Sequence, residues 1–202
     1  MAFQYRDLDG ETRRFMVEEI EKDWLFYQRS NGGVTFGGGE ATLYPAFVDA
    51  VALRCQAKGI HTAIETCGYA DSDTFERVIK RMDLVLFDIK LVDPALHRRW
   101  TGADNAKILR NLRRLIGLGI PFRARVPLIP SVTDTRENLA AAARLLEGAR
   151  ALERVELMSY NRAAGAKYAQ TGRVYEPEFP EDQAPDAWVE PFEKRGMEVI
   201  TL

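Results

Sequence analysis

Short apolar runs separated by longer stretches of helical periodicity constrain the fold of this 202-residue chain more than any other feature. Runs of that kind suit strands buried on both faces, and the amphipathic stretches between them suit covering helices. The pattern therefore reads as repeated strand–helix units around a parallel sheet. Strands are expected near Val34–Phe36, Ile60–Thr66, Leu84–Ile89, Phe122–Leu128, Val155–Met158 and Glu198–Leu202. Helical spacing covers Arg13–Gln28, through Phe15, Val17, Ile20 and Trp24, and again Pro45–Lys58, which stops at Gly59. Longer helices are expected over Asn105–Leu118 and Asp134–Glu147. The second is opened by Thr133 or Asp134 as N-cap, with Glu137 in its first turn. The acidic, proline-rich segment Glu176–Asp186 reads as a solvated connector.

The length suits one domain, residues 1–202, with a sizeable core. A formal net charge of -2 with interspersed signs shows no basic face for nucleic acid. Two cysteines, Cys55 and Cys67, exclude a disulfide framework and suit a reducing compartment. No run of about 18 apolar residues offers a membrane span, and Met1–Asp7 lacks the basic and apolar regions of a signal peptide. A cytoplasmic protein is expected.

Polar residues gather where the strands end. Gly37-Gly38-Gly39-Glu40 closes the first apolar run. Three glycines leave backbone amides bare for a close ligand, and Glu40 adds a negative charge that suits a zwitterion better than a phosphate; a plain tight turn is the alternative. Glu65, Thr66 and Gly68 follow the second run, Asp88 and Lys90 the third, Arg125 the fourth, and Tyr160 and Asn161 the fifth. In a strand–helix barrel that placement is the carboxyl-terminal rim, where sites are built. Asp88 and Lys90, two apart, face the same way, either as an ion pair or as ligand contacts. Arg123 and Arg125 share a face, and Arg125 is expected to meet a carboxylate of a ligand or of the protein. His61 and His97 are expected in capping or surface roles.

Several motifs occur in order at these strand ends: Val34-Thr35-Phe36-Gly37-Gly38-Gly39-Glu40, Ile64-Glu65-Thr66-Cys67-Gly68-Tyr69, Leu86-Phe87-Asp88-Ile89-Lys90 and Arg125-Val126-Pro127-Leu128-Ile129-Pro130. Further matches are Asp93, His97, Thr101, Gly102 and Asn105, then Asp134, Glu137 and Asn138, then Tyr160-Asn161 and Ala164–Tyr168. Together they resemble the activating enzymes of glycyl radical enzymes, the pyruvate formate-lyase activase group of the radical S-adenosylmethionine superfamily.

The resemblance implies an α/β fold, an open, partial TIM-type β/α barrel, binding S-adenosylmethionine at its open top. It implies that Gly38, Gly39 and Glu40 hold the ligand's ammonium and that Lys90 or Arg125 pairs its carboxylate. Asp88 and Glu65 would serve the ribose hydroxyls or a nearby monovalent cation, with Thr66 and the Met158 carbonyl on the same rim. Asn161 stands where relatives often carry histidine; its amide can hydrogen-bond adenine or the methionyl group but does not titrate near neutral pH. Relatives generate a 5'-deoxyadenosyl radical that takes a hydrogen from a glycine of a partner glycyl radical enzyme. Their electron donor is a protein such as flavodoxin or ferredoxin.

One departure is large. Family members hold a four-iron, four-sulfur cluster through three cysteines spaced C-x3-C-x2-C, and that motif is missing from this sequence. Cys55 reads as a small buried thiol and Cys67 as a pocket wall. The first strand–helix unit, which carries the cysteines in relatives, is expected to be missing. A fragment, a partner chain that supplies the cluster, and a homologue that lost it all remain open, and in each case the chain alone is expected to be inactive. An edge strand at Val34 would then favour dimerisation. The alternatives are a non-catalytic S-adenosylmethionine-binding or partner-docking protein, or a Schiff-base aldolase through Lys90. The neighbouring Asp88 argues against the aldolase by favouring the charged lysine.

Overall fold

The computed structural model describes residues 10–160 and 176–202. Among them the order is α1 (Gly10–Lys22), α2 (Trp24–Ser30), β1 (Gly33–Phe36), a 3-10 turn (Ala41–Leu43), α3 (Pro45–Ala57), β2 (His61–Thr66), α4 (Ser72–Ile79) and β3 (Leu84–Asp88). There follow α5 (Pro94–Thr101), α6 (Ala106–Leu118), β4 (Phe122–Leu128), α7 (Arg136–Leu146), β5 (Leu152–Ser159), α8 (Glu190–Glu193) and β6 (Val199–Thr201). The strands form one open sheet in the order β1-β2-β3-β4-β5-β6, and β1–β2, β2–β3 and β5–β6 pair in parallel. No described helix is long and apolar enough to cross a membrane.

The expected helix over Arg13–Gln28 is two helices. At Asp23 the backbone leaves α-helical geometry, its amide bonds back to Ile20, and the Trp24 indole donates to the Lys58 carbonyl at 3.3 Å. Val17 is buried, whereas Trp24 is 40% exposed, so the spacing identified the first helix and not the second. The N-cap of α7 is Thr135, which accepts from the Asn138 amide, and neither Thr133 nor Asp134 caps it. Those two are engaged elsewhere: the Thr133 hydroxyl bonds Pro127 and the Ile129 amide, and the Asp134 carboxylate accepts from the Asp186 amide.

The chain divides into two compact units. Among the described residues the first comprises 10–87 and 106–122. Its helices have clear local causes: Asp71 caps α4 through the Asp73 and Thr74 amides, and Pro45 opens α3 where its missing N–H costs nothing. Phe75, Val78 and Ile79 of α4 are fully buried, as are Leu112 and Leu115 of α6. Phe75 meets Phe87 of β3 edge-to-face at 6.2 Å. Each such side chain contributes about 1.5–3 kcal/mol on leaving water.

Among the described residues the second unit comprises 88–105, 123–160 and 176–202. Along β4, Ala124, Val126 and Leu128 are buried while Arg123, Arg125 and Pro127 are half-buried, the period of two expected of a strand. Helix α5 is capped by Asp93 and ends at Gly102 in the left-handed region. His97 is 4% exposed, which corrects the surface reading. Its Nδ1 lies 2.8 Å from the Ala103 carbonyl and 2.9 Å from the Thr101 hydroxyl, so the ring ties down the helix's last turn. Glu176–Asp186 is also more than a connector, because Phe179 stacks edge-to-face on Tyr160 at 5.2 Å and Glu181 accepts from the Tyr160 hydroxyl at 2.9 Å.

Candidate functional site

Strand β1 delivers Gly37-Gly38-Gly39-Glu40 at its carboxyl end. Gly38 and Gly39 have φ of 84° and 59°, a region costly for other residues, and no atom lies within 4 Å of where a Cβ would stand on either. The backbone there is open to a ligand. At Gly37 a Cβ would come 3.1 Å from a Glu65 carboxylate oxygen, so Glu65 lies over this turn.

Glu40 is bound tightly by its own unit. Its Oε1 accepts from the Thr42 amide at 3.3 Å, the Thr42 hydroxyl at 2.6 Å and the Thr66 hydroxyl at 2.6 Å. Its Oε2 accepts from the Cys67 amide at 3.0 Å and the Cys67 thiol at 3.1 Å. Burial alone would raise its pKa, but the bonds from Thr42, Thr66 and Cys67 outweigh burial and hold it below the ordinary 4.5. Gly38, Gly39, Glu40, Glu65 and Thr66 are thus brought together, with a permanent negative charge beside exposed backbone.

A depressed carboxyl pKa fixes the sign of the pH effect. The stabilisation is complete above the unfolded pKa and is lost as pH falls through the folded value. Glu40→Gln is therefore expected to flatten the acid limb of unfolding free energy against pH, below the ordinary 4.5, in urea titrations. An acid limb identical to wild type would show that these bonds do not favour the ionised form.

In the second unit Asp88 is half-buried and Lys90 exposed. The Ile89 amide donates to the Arg125 carbonyl at 2.8 Å, which ties the end of β3 to β4. Asn138, which drew no role beyond a motif match, holds the loop after β3: it donates to the carbonyls of Lys90 and Thr133, both at 2.9 Å, and accepts from the Val92 amide at 3.0 Å. Lys90 opens onto a cavity of about 770 Å³ lined also by Arg99, Trp100, Pro127, Ile129, Tyr160 and Glu176–Phe179. That volume lies in the range of small-molecule sites.

Arg125 meets a protein carboxylate, one of its two expected partners. Its Nε lies 3.8 Å from Glu156 Oε2 and donates to Met158 Sδ at 3.1 Å. Sequence reading missed Glu156, because a lone glutamate in the apolar run Val155–Met158 carries no motif. The arginine-rich flanks were the available signal. Asn161, and the motif residues from Ala164 to Tyr168, lie outside the described residues.

The residues present do not fit an iron–sulfur cluster. Three thiolates are required, and the sequence has two cysteines. Cys55 is buried in α3, where burial raises its pKa, and Cys67 donates to Glu40. Among the described residues no three of His, Cys, Asp and Glu are grouped as a metal site.

The radical SAM superfamily matches residues 4–143. The chain is 43% identical over 168 residues to the trans-4-hydroxy-L-proline dehydratase activating enzyme of Clostridioides difficile, covering 82% of this chain and 55% of that one. It is 35% identical over 167 residues to the pyruvate formate-lyase-activating enzyme of Clostridium pasteurianum, covering 81% of this chain and 70% of the relative. The crystal structure of a domain of pyruvate-formate lyase-activating enzyme from Bacteroides vulgatus superposes with a TM-score of 0.67 at 27% identity, over 85% of this chain and 99% of that domain. The chain spans about half the length of most curated relatives it matches. An open parallel sheet with polar residues at its strand ends, together with these matches, places the chain in the radical SAM superfamily, among the activating enzymes of glycyl radical enzymes.

Proposed function

We propose that these 202 residues form the S-adenosylmethionine-binding part of a glycyl radical enzyme activating enzyme. The observation that carries this reading is the Gly38–Gly39 turn, bare of neighbouring atoms and set beside an ionised Glu40. In the first unit, the turn carbonyls and Glu40 attract the ammonium of the ligand, and Glu65 and Thr66 offer hydroxyl partners. In the second, Lys90 and Arg125 are the cations for a carboxylate, and Asp88 accepts from ribose hydroxyls or faces a monovalent cation. Asn161 is assigned to adenine or the methionyl group. The macromolecular partner is a glycyl radical enzyme, and flavodoxin or ferredoxin is the electron donor.

Family membership implies a four-iron, four-sulfur cluster that supplies the electron for radical formation, but the thiolates for it are not among these residues. Without that chelation, binding of S-adenosylmethionine by this chain is weak, with a Kd of about 10 μM or above. The chain alone makes no 5'-deoxyadenosine. Calorimetry with S-adenosylmethionine tests the pocket, and anaerobic treatment with iron, sulfide and dithionite tests the chemistry. Sub-micromolar affinity, or 5'-deoxyadenosine from the isolated chain, would overturn the proposal.

Gly39→Ala separates the ligand site from the fold. A Cβ meets no atom there, so the cost is backbone strain of about 1–2 kcal/mol. The expected Tm loss is about 2–8 °C, with ligand affinity falling at least about tenfold because the bare backbone is covered. Undiminished affinity in the folded variant would remove the turn from the site.

A further inference from the structure

Glu156 is 5% exposed on β5, and three guanidinium groups converge on it. Arg154 grips Oε1 through Nε at 2.9 Å and Nη2 at 2.8 Å. Arg123 Nη1 lies 3.7 Å from the same oxygen, and Arg123 Nε is held by Glu153 at 2.8 Å. Oε2 faces the Nε of Arg125 at 3.8 Å. That Nε donates to Met158 Sδ, two residues along β5 and on the same face.

A buried ionic array of this kind gains little stability over apolar side chains of equal volume, so its main physical effect is orientation. Arginine is long and flexible, and a guanidinium recognises a carboxylate only when its planar fork is presented correctly. The backbone at Arg125 is fixed by the bond from the Ile89 amide. Its side chain is bracketed near Nε by Glu156 and Met158, which leaves rotation about the later bonds restricted.

We infer that Glu156 is a positioning residue: it orients Arg125 so that the guanidinium presents its fork to the carboxylate of the bound ligand. This rests on the assignment of Arg125 as a carboxylate partner. The carboxylate of Glu156 acts through Arg125 and does not touch the ligand. Arg154 holds the Glu156 carboxylate in place through its two contacts to Oε1, and Arg123 braces the array from the adjacent strand.

The test is a pair of titrations on the 202-residue chain, by calorimetry or ligand-observed NMR. The probes are S-adenosylmethionine and its decarboxylated form, which keeps the ammonium and sulfonium but lacks the carboxylate. Wild type is expected to prefer the carboxylate-bearing probe. Glu156→Gln is expected to weaken S-adenosylmethionine binding about tenfold, a loss of one charge-assisted contact, and to leave the decarboxylated probe within about twofold. Glu156→Asp restores part of the preference and substitutes for the glutamine variant if that one does not fold. In an Arg125→Gln background Glu156→Gln has no further effect, since coupled residues are not additive. Equal loss of both probes, or additive effects in the double variant, would make Glu156 merely structural. Wild type binding both probes equally would overturn the Arg125 assignment itself, while leaving the glycine-turn test independent.

Discussion

Alanine at Gly33 is expected to detach β1 from the sheet. A Cβ built on Gly33 falls 1.9 Å from the carbonyl oxygen of His61 and 2.7 Å from its carbon, and these two residues are register partners of β1 and β2. Both obstacles are backbone, so no side-chain rotation relieves them. The strands must separate by roughly 1 Å in a close-packed sheet. We expect a loss on the order of 3 kcal/mol, at the upper end of overpacking effects, and a Tm lower by about 6–12 °C. Hydrogen exchange should show the β1 amides losing protection before the rest of the chain. The functional consequence follows directly, because the Gly37–Glu40 turn is carried on the end of β1. A Tm within about 2 °C of wild type, with β1 protection intact, would contradict the approach of these strands.

Asn111→Ala is the second large effect. Asn111 is fully buried in α6, donates to the carbonyls of Gly68 at 2.8 Å and Ala70 at 3.0 Å, and accepts from the Ser72 hydroxyl at 2.8 Å. Truncation leaves two carbonyls without these donors, at about 1–3 kcal/mol for each group that stays buried and unsatisfied. A total loss of about 3 kcal/mol is expected in urea unfolding, while Ser72→Ala, which removes one exchangeable contact, costs about 1 kcal/mol. The neighbourhood has little capacity to relax: Gly68 has φ 71°, and a Cβ on it would fall 2.7 Å from the Phe87 ring. Movement of this loop displaces Thr66 and Cys67, which hold Glu40, so ligand affinity falls with stability. Equal stability of Asn111→Ala and Ser72→Ala would show that the two carbonyls find other donors.

Strand positions and most helices were legible because burial on both faces writes a short apolar run into the sequence, and Gly59 and Pro45 mark the ends of α3. Strand β4 was recovered residue for residue, since Phe122, Ala124, Val126 and Leu128 alternate with polar or small neighbours. Strand β5 was found only in its apolar centre. Its amino-terminal flank carries Glu153 and Arg154, and a charge breaks an apolar pattern until its partners, here partly on β4, are known. The same reason hid Glu156. The break at Asp23 has no signal in the sequence, because Phe15 to Trp24 keeps helical spacing through it while the backbone at Asp23 leaves helical geometry.

What the sequence determined by itself was the repeating strand–helix order, the polar residues at the strand ends and, through its motifs, the family. These are local or periodic properties, carried by residues close along the chain. How those residues are engaged depends on the folded arrangement. Glu40 is held ionised by Thr66 and Cys67 at the end of β2, the loop of Lys90 is set by Asn138 of α7, and Arg125 meets Glu156 of β5. Each of those contacts joins residues about 26 to 48 positions apart, and a hydrogen bond or ion pair depends on distance and angle in space, which no spacing along a single chain encodes.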